Sequence, residues 1–325
     1  NDGTLTFGDA TGDSFTFNGG LNTSSVAGTV TLNTSINSSN DVLTFGAITL
    51  GNNVTIDSNA TSSNNGDITL GAVTGGSNTL ELSTGNNING ADITASGNIS
   101  GVTTLTLADV GGTATFAGDV DVTALTVGNT VANVAFTGNG SSVANSVSFA
   151  NDGTLTLGAS GTTQTYNNGV ATTSVGGTVT LNGTLASSNK GIQFGAVTLG
   201  SATIINTNAT NTDGDITFGA ITGGSNALTL STGNNIANAN ITVSGAISGL
   251  GNLTLANVGG TTSFAGAISA AALSADNTVS NISFAGASAS GNNYTFSGAA
   301  SFASDGILTF GNESADNFTF NGGLT

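Results

Sequence analysis

Residues 66–88 read GDITLGAVTGGSNTLELSTGNNI, and residues 214–236 read GDITFGAITGGSNALTLSTGNNI. A near-identical return after about one hundred and fifty residues constrains the fold more than any other feature, because long-period self-similarity is the signature of stacked repeats. The flanks obey the same period. NDGTLTFG at 1–8 returns as NDGTLTLG at 151–158 and as SDGILTFG at 304–311, while FTFNGGLN at 15–22 returns as FTFNGGLT at 318–325. The chain therefore divides into a long repeat over 1–150, a second over 151–303 and the start of a third over 304–325, with no linker between them.

A shorter beat runs inside each long repeat. Apolar residues two apart frame a polar one at Leu5-Thr-Phe7, Val30-Thr-Leu32, Leu43-Thr-Phe45, Ile68-Thr-Leu70 and Leu105-Thr-Leu107. That spacing is the period of a strand, and no stretch carries the three- and four-residue apolar spacing of a helix. Alternation sends Leu5 and Phe7 to one face and Thr4 and Thr6 to the other. Connectors such as 74–78 (TGGSN) and 139–142 (NGSS) carry Gly, Asn and Ser, which tolerate positive φ or bond back to the chain.

Short strands at this spacing also suit a sandwich or a barrel. A solenoid is favoured by the unbroken pattern and by the absence of proline, since strands paired on both sides must all donate. The expectation is an all-β, single elongated repeat body: a parallel β-helix (β-solenoid) of two or three strands per coil and on the order of 15 coils. The residues Tyr294-Thr-Phe296, absent from the first repeat, are expected as a wider turn or an extra strand.

The segments 66–88 and 97–112 (GNISGVTTLTLADVGG) resemble the strand-repeat passengers of large bacterial exoproteins: filamentous-haemagglutinin-like adhesins, autotransporter-like surface proteins and S-layer or sheath proteins. The resemblance spans essentially the whole chain and is one of pattern. It implies a right-handed coil, export to the bacterial cell surface and a structural or adhesive role.

Charge narrows the partners. Lys190 is the only basic residue against 18 carboxylates, for a net charge of −17. A phosphate backbone finds almost nothing to pair with, so nucleic acid is excluded as a partner. Self-association, end to end or lateral, and binding of neutral glycans remain. No apolar run approaches the roughly 18 residues that could span a bilayer, so membrane insertion of this segment is not expected. Residues 1–20 lack the pattern of a secretion signal. The chain starts and stops inside the repeat pattern with no cap, so it is expected either to continue in a longer parent or to stack on copies of itself. The absence of cysteine fits an extracellular protein that needs no redox chemistry.

With no His, Cys or Arg, Ser–His–Asp, Cys–His and arginine-clamped phosphoryl chemistry are excluded, and no enzyme is expected. Carboxylate catalysis on polysaccharides would need a pair such as Asp119 and Asp121, whose equivalents in the second repeat are Ala267 and Ser269. Oxygen ligands for calcium, the one cofactor considered, are available at Asp213 and Asp215, at Asp119 and Asp121, and at Asp9 and Asp13. Asp67 and Asp215 occupy equivalent places before a strand, a position usual for a turn. Outward Thr-x-Thr pairs (Thr4/Thr6, Thr29/Thr31, Thr104/Thr106, Thr154/Thr156, Thr178/Thr180) suit an ice-binding plane, although threonine is also the ordinary filler of strand faces. The leading expectation is a structural protein of a surface fibre, sheath or layer, with a glycan-binding adhesin as the alternative.

Overall fold

The computed structural model describes residues 2–9, 12–61, 65–85, 90–210, 214–233, 239–286 and 291–325. Among them there is no helix, and every strand pairing with a stated direction is parallel. The strands stack as a β-solenoid of about 13 turns. By contacts the chain forms two units, Asn1–Leu157 with Ser174–Gly177, and Gly158–Thr173 with Thr178–Thr325.

In the first unit each coil has three faces. One coil comprises Val30–Leu32, Ser35–Ser38 and Leu43–Phe45, and the next Ile48–Leu50, Val54–Ala60 and Ile68–Leu70. Inward residues form unbroken columns. Leu5, Val30, Ile48, Val73, Ile99 and Val120 line the first face. Phe15, Ile36, Ile56, Leu82, Leu107 and Val127 line the second. Leu21, Leu43, Ile68, Ile93, Ala114, Val134 and Leu155 line the third. Each fully buried Leu, Ile, Val or Phe contributes ~1.5–3 kcal/mol, so these columns, rather than the sparse surface charge, hold the coils together.

The second unit repeats the plan. Val179, Val197, Ile221, Ile247, Ile268, Tyr294 and Phe318 form its first-face column. On its third face a second inward column runs Phe194, Phe218, Val243, Phe264, Phe284 and Phe310. Neighbouring rings stack along it, Phe264 on Phe284 at 5.3 Å and Phe284 on Phe310 at 5.6 Å between centroids. Offset stacks of this kind add ~0.5–1.5 kcal/mol beyond burial. The third-face column also contains Thr262, fully buried, where the first unit has Ala114; its hydroxyl has no partner.

Coil length varies while register does not. The pairing advances 18 residues from Val30 to Ile48 but 26 from Val73 to Ile99. The turns absorb the difference. The residues Tyr294-Thr-Phe296 illustrate this: they lie in the strand Asn293–Phe296, paired with Ile268, Ser269 and Ala270. The first unit's Ser142–Val143 pairs with Asp121 and Val122 in the same way. Among the described residues there is no extra strand, and the added residues lie between Phe284 and Asn293, a stretch partly outside those described.

Two corner devices explain the abundance of Gly and Asn. At the corner after the third face, Gly46, Gly71, Gly97, Gly118 and Gly138 stack directly on one another: a Cβ on Gly118 would stand 2.4 Å from the carbonyl group of Gly97. No side chain fits there. Elsewhere the chain turns through left-handed residues; most of these are Gly, and the others are mostly Asn or Asp, at Asn40, Asn59 and Asp109 and again at Asn189, Asn208 and Asn257. These residue types bear positive φ at least cost after glycine.

Candidate functional site

Outward residues also form columns. On the first unit's first face these are Thr6, Thr31, Thr49, Thr74, Ser100, Asp121 and Ser142. On its third face they are Asn22, Thr44, Thr69, Thr94, Thr115, Ala135 and Thr156. In the second unit Gln193, Thr217, Thr242, Ser263, Ser283 and Thr309 stand in line. These are single columns, because Thr4, Thr29 and Thr178 precede their strands. Of the expected Thr-x-Thr pairs, only Thr104/Thr106 lies wholly within a strand. Its neighbours one coil back and one coil on are Thr79/Glu81 and Ala124/Thr126. A two-column threonine plane is therefore not assembled there.

That second face carries a shallow groove lined by Asn53, Thr55, Thr79, Glu81, Thr104 and Thr106. It offers hydroxyls, an amide and one carboxylate. At the matching register the second unit has Ala202, Ile204, Ala227 and Thr229, with Ile204 43% exposed. The groove's chemistry thus belongs to the first unit. Its signal in the sequence is Glu81, a charged residue where the apolar–Thr–apolar motif usually has threonine.

The carboxylate candidates fall out as follows. Val120 is buried, and Asp119 and Asp121 flank it on the outer side. Asp121 stands in the first-face column between Ser100 and Ser142. Partial burial raises its pKa above 3.8; the Ser142 backbone hydrogen bond opposes this, and the charge of Asp119 adds to it. Asp213 lies outside the described residues. Among those described, no three His, Cys, Asp or Glu side chains converge as a metal-binding group.

Asp215 is engaged otherwise. Its Oδ1 accepts the backbone N–H of Asn240 at 2.6 Å, and Asn240 Oδ1 accepts that of Thr261 at 2.8 Å. The first unit shows the same relay: Asp67 Oδ1 accepts from Asp92 N–H, and Asp92 Oδ1 from Thr113 N–H. Asn133 does the same for Thr154. At these five third-face positions an Asx side chain just before the inward residue thus satisfies an amide of the next coil, which the turn reading of Asp67 and Asp215 did not foresee. Asp9 and Asp13 are likewise joined within a loop, Asp13 Oδ2 accepting the Asp9 N–H at 3.0 Å. Asp316, its equivalent in the third repeat, accepts the N–H groups of Asn292, Asn312 and Glu313. Those three bonds lower its pKa below 3.8.

Two buried polar groups stand apart. Tyr166 is enclosed, and burial pushes its phenol far above the usual range; its hydroxyl and Gln164 Oε1 are 3.2 Å apart. Both point inward from the strand Thr163–Tyr166, where the first repeat has Phe15 and Phe17.

No protein-family model matches the chain, and neither a characterised protein nor a solved structure matches it. The stacked parallel coils define the class, a β-solenoid repeat protein. No helix among the described residues is long and apolar enough to cross a membrane.

Proposed function

We propose that this chain is a structural and assembly protein, an extracellular β-solenoid that contributes stiffness to a bacterial surface fibre, sheath or layer by associating with copies of itself. The observation that carries this reading is where the acidic and amide side chains are spent. Asp67, Asp92, Asp215, Asn240 and Asn133 bond backbone amides of the next coil, and Asp13 and Asp316 cap loops. The outward columns that remain are mostly short, neutral hydroxyls. Such a surface favours regular contact with another of its kind over chemistry on a substrate; the net charge of −17 opposes that contact and is screened by salt.

Electron microscopy of the purified chain, concentrated with and without calcium, tests this. Ordered fibres or sheets are the expected result. A chain that stays monomeric at every concentration, by light scattering, contradicts the assembly role. Order that appears only with calcium and vanishes with chelator would assign the ion to the contacts between copies.

The second reading, an adhesin passenger that binds a neutral glycan, is favoured by the groove along Asn53, Thr55, Thr79 and Glu81, whose counterparts in the other unit are Ala202, Ile204, Ala227 and Thr229. Binding to a glycan panel that is lost on Glu81→Ala supports it, and an empty panel removes it.

A further inference from the structure

We propose that Asn18 is a self-modifying site, at which the folded chain converts an asparagine to aspartate and isoaspartate faster than at the other Asn-Gly pairs of the described residues. Asn18 and Gly19 are the exposed centre of a turn closed by the Gly20 N–H donating to Phe17 O at 3.0 Å. The Gly19 N–H has no acceptor among the described residues, and no atom lies within 4 Å of where its Cβ would stand. The nucleophile is free and uncrowded. The electrophile is polarised: Ser39, one coil on, donates its hydroxyl to Asn18 Oδ1 at 2.9 Å.

The reaction needs only water. The Gly19 nitrogen loses its proton and attacks Asn18 Cγ, and the Oδ1 that becomes an oxyanion is the atom Ser39 already hydrogen-bonds. The carbon–nitrogen bond to the side-chain amide then breaks, and ammonia leaves with a proton. Water opens the resulting succinimide at either carbonyl. Opening at one gives aspartate; opening at the other gives isoaspartate, with an extra methylene in the main chain of the first coil.

The other Asn-Gly pairs of the described residues lack one of these conditions. The Gly169 N–H donates to Tyr166 O at 2.8 Å, and the Gly322 N–H donates to Gly298 O at 3.2 Å. Gly66 and Gly183 are buried. Gly140 packs against the Asp119 carboxylate, whose charge opposes ionisation of the amide. In the second unit Ser188 donates to Asn167 Oδ1 at 2.9 Å as Ser39 does to Asn18, but the following residue is Asn168. The same polarising contact there lacks the unhindered nitrogen.

The test is to incubate the intact protein in mildly alkaline buffer, then map by mass spectrometry each amide that has become an acid. A protease that cuts before aspartate but not isoaspartate separates the two products. Asn18 is expected to react about tenfold or more faster than Asn168 and Asn321, a barrier difference of ~1.4 kcal/mol. In denaturant the three should react alike. Gly19→Ala, which meets no neighbour and needs no positive φ, is expected to slow Asn18 markedly, and Ser39→Ala to slow it less, with Ser39→Thr restoring the rate. Equal rates at the three sites in the folded protein, or an Asn18 rate unmoved by Gly19→Ala, overturn the proposal; an unmoved rate in Ser39→Ala removes the role given to Ser39.

Discussion

The Asp67 carboxylate accepts the backbone N–H of Asp92, the residue one coil further on, at 2.9 Å. What the bond requires is an oxygen acceptor, not a charge, because Asn133 and Asn240 serve identically. Asp67→Asn should therefore leave stability within a few tenths of a kcal/mol, while Asp67→Ala should cost about 1 kcal/mol. Equilibrium unfolding in denaturant separates the two.

The relay marks where reading from sequence ends. Alternation alone places Leu5, Phe7, Val30 and Leu32 inward, and it makes the strands. It cannot say that Asp67 meets Asp92 and not Thr94, because coils of 18 and of 26 residues sit in the same stack. Register between coils is set by how much chain each turn absorbs, and turns tolerate length changes with little signal. The strand Ser35–Ser38 is also silent, with Ile36 its only large apolar residue; it is a strand because Phe15 and Ile56 lie on either side of it.

Glycine stacking at the corner makes a sharper prediction. A methyl group on Gly118 would meet the Gly97 carbonyl group at 2.4 Å, and backbone cannot rotate away as a side chain would. Gly118→Ala should cost about 1–3 kcal/mol by overpacking. Gly12→Ala, with nothing within 4 Å, is the control expected to be near neutral.

The orphaned hydroxyl of Thr262 predicts a gain. It is fully buried in an apolar column and has no hydrogen-bond partner. A buried hydroxyl left unpaired costs about 1–3 kcal/mol. Thr262→Val keeps the shape and removes the polar atom, so its melting temperature should rise. Thr262→Ala, which copies Ala114, should gain less because it leaves a cavity.

Two carboxylates predict opposite pH behaviour. Asp316 has a folded pKa below its unfolded value of 3.8, so the native state binds its proton less tightly. Its contribution is present above 3.8 and is lost as pH falls through the folded pKa. Asp121 has a folded pKa above 3.8. It therefore opposes folding once ionised, and its unfavourable contribution grows as pH rises from 3.8 through the folded pKa. Unfolding measured across the acid range should show Asp316→Asn flattening the acid-side loss and Asp121→Asn stabilising the protein at neutral pH.

The account rests on parallel coils in fixed register, and cysteine cross-linking reads that directly in a chain with no cysteine of its own. Thr49 and Thr74 are direct partners on the first face, and Ser100 is the next rung beyond Thr74. A disulfide needs Cα atoms about 4.4–6.8 Å apart, which adjacent rungs meet and rungs two apart, at about twice the ~4.8 Å strand spacing, do not. Mild oxidation is predicted to close the bond in Thr49→Cys/Thr74→Cys and to leave Thr49→Cys/Ser100→Cys open. Closure of the second pair but not the first would contradict the stacking on which everything above depends.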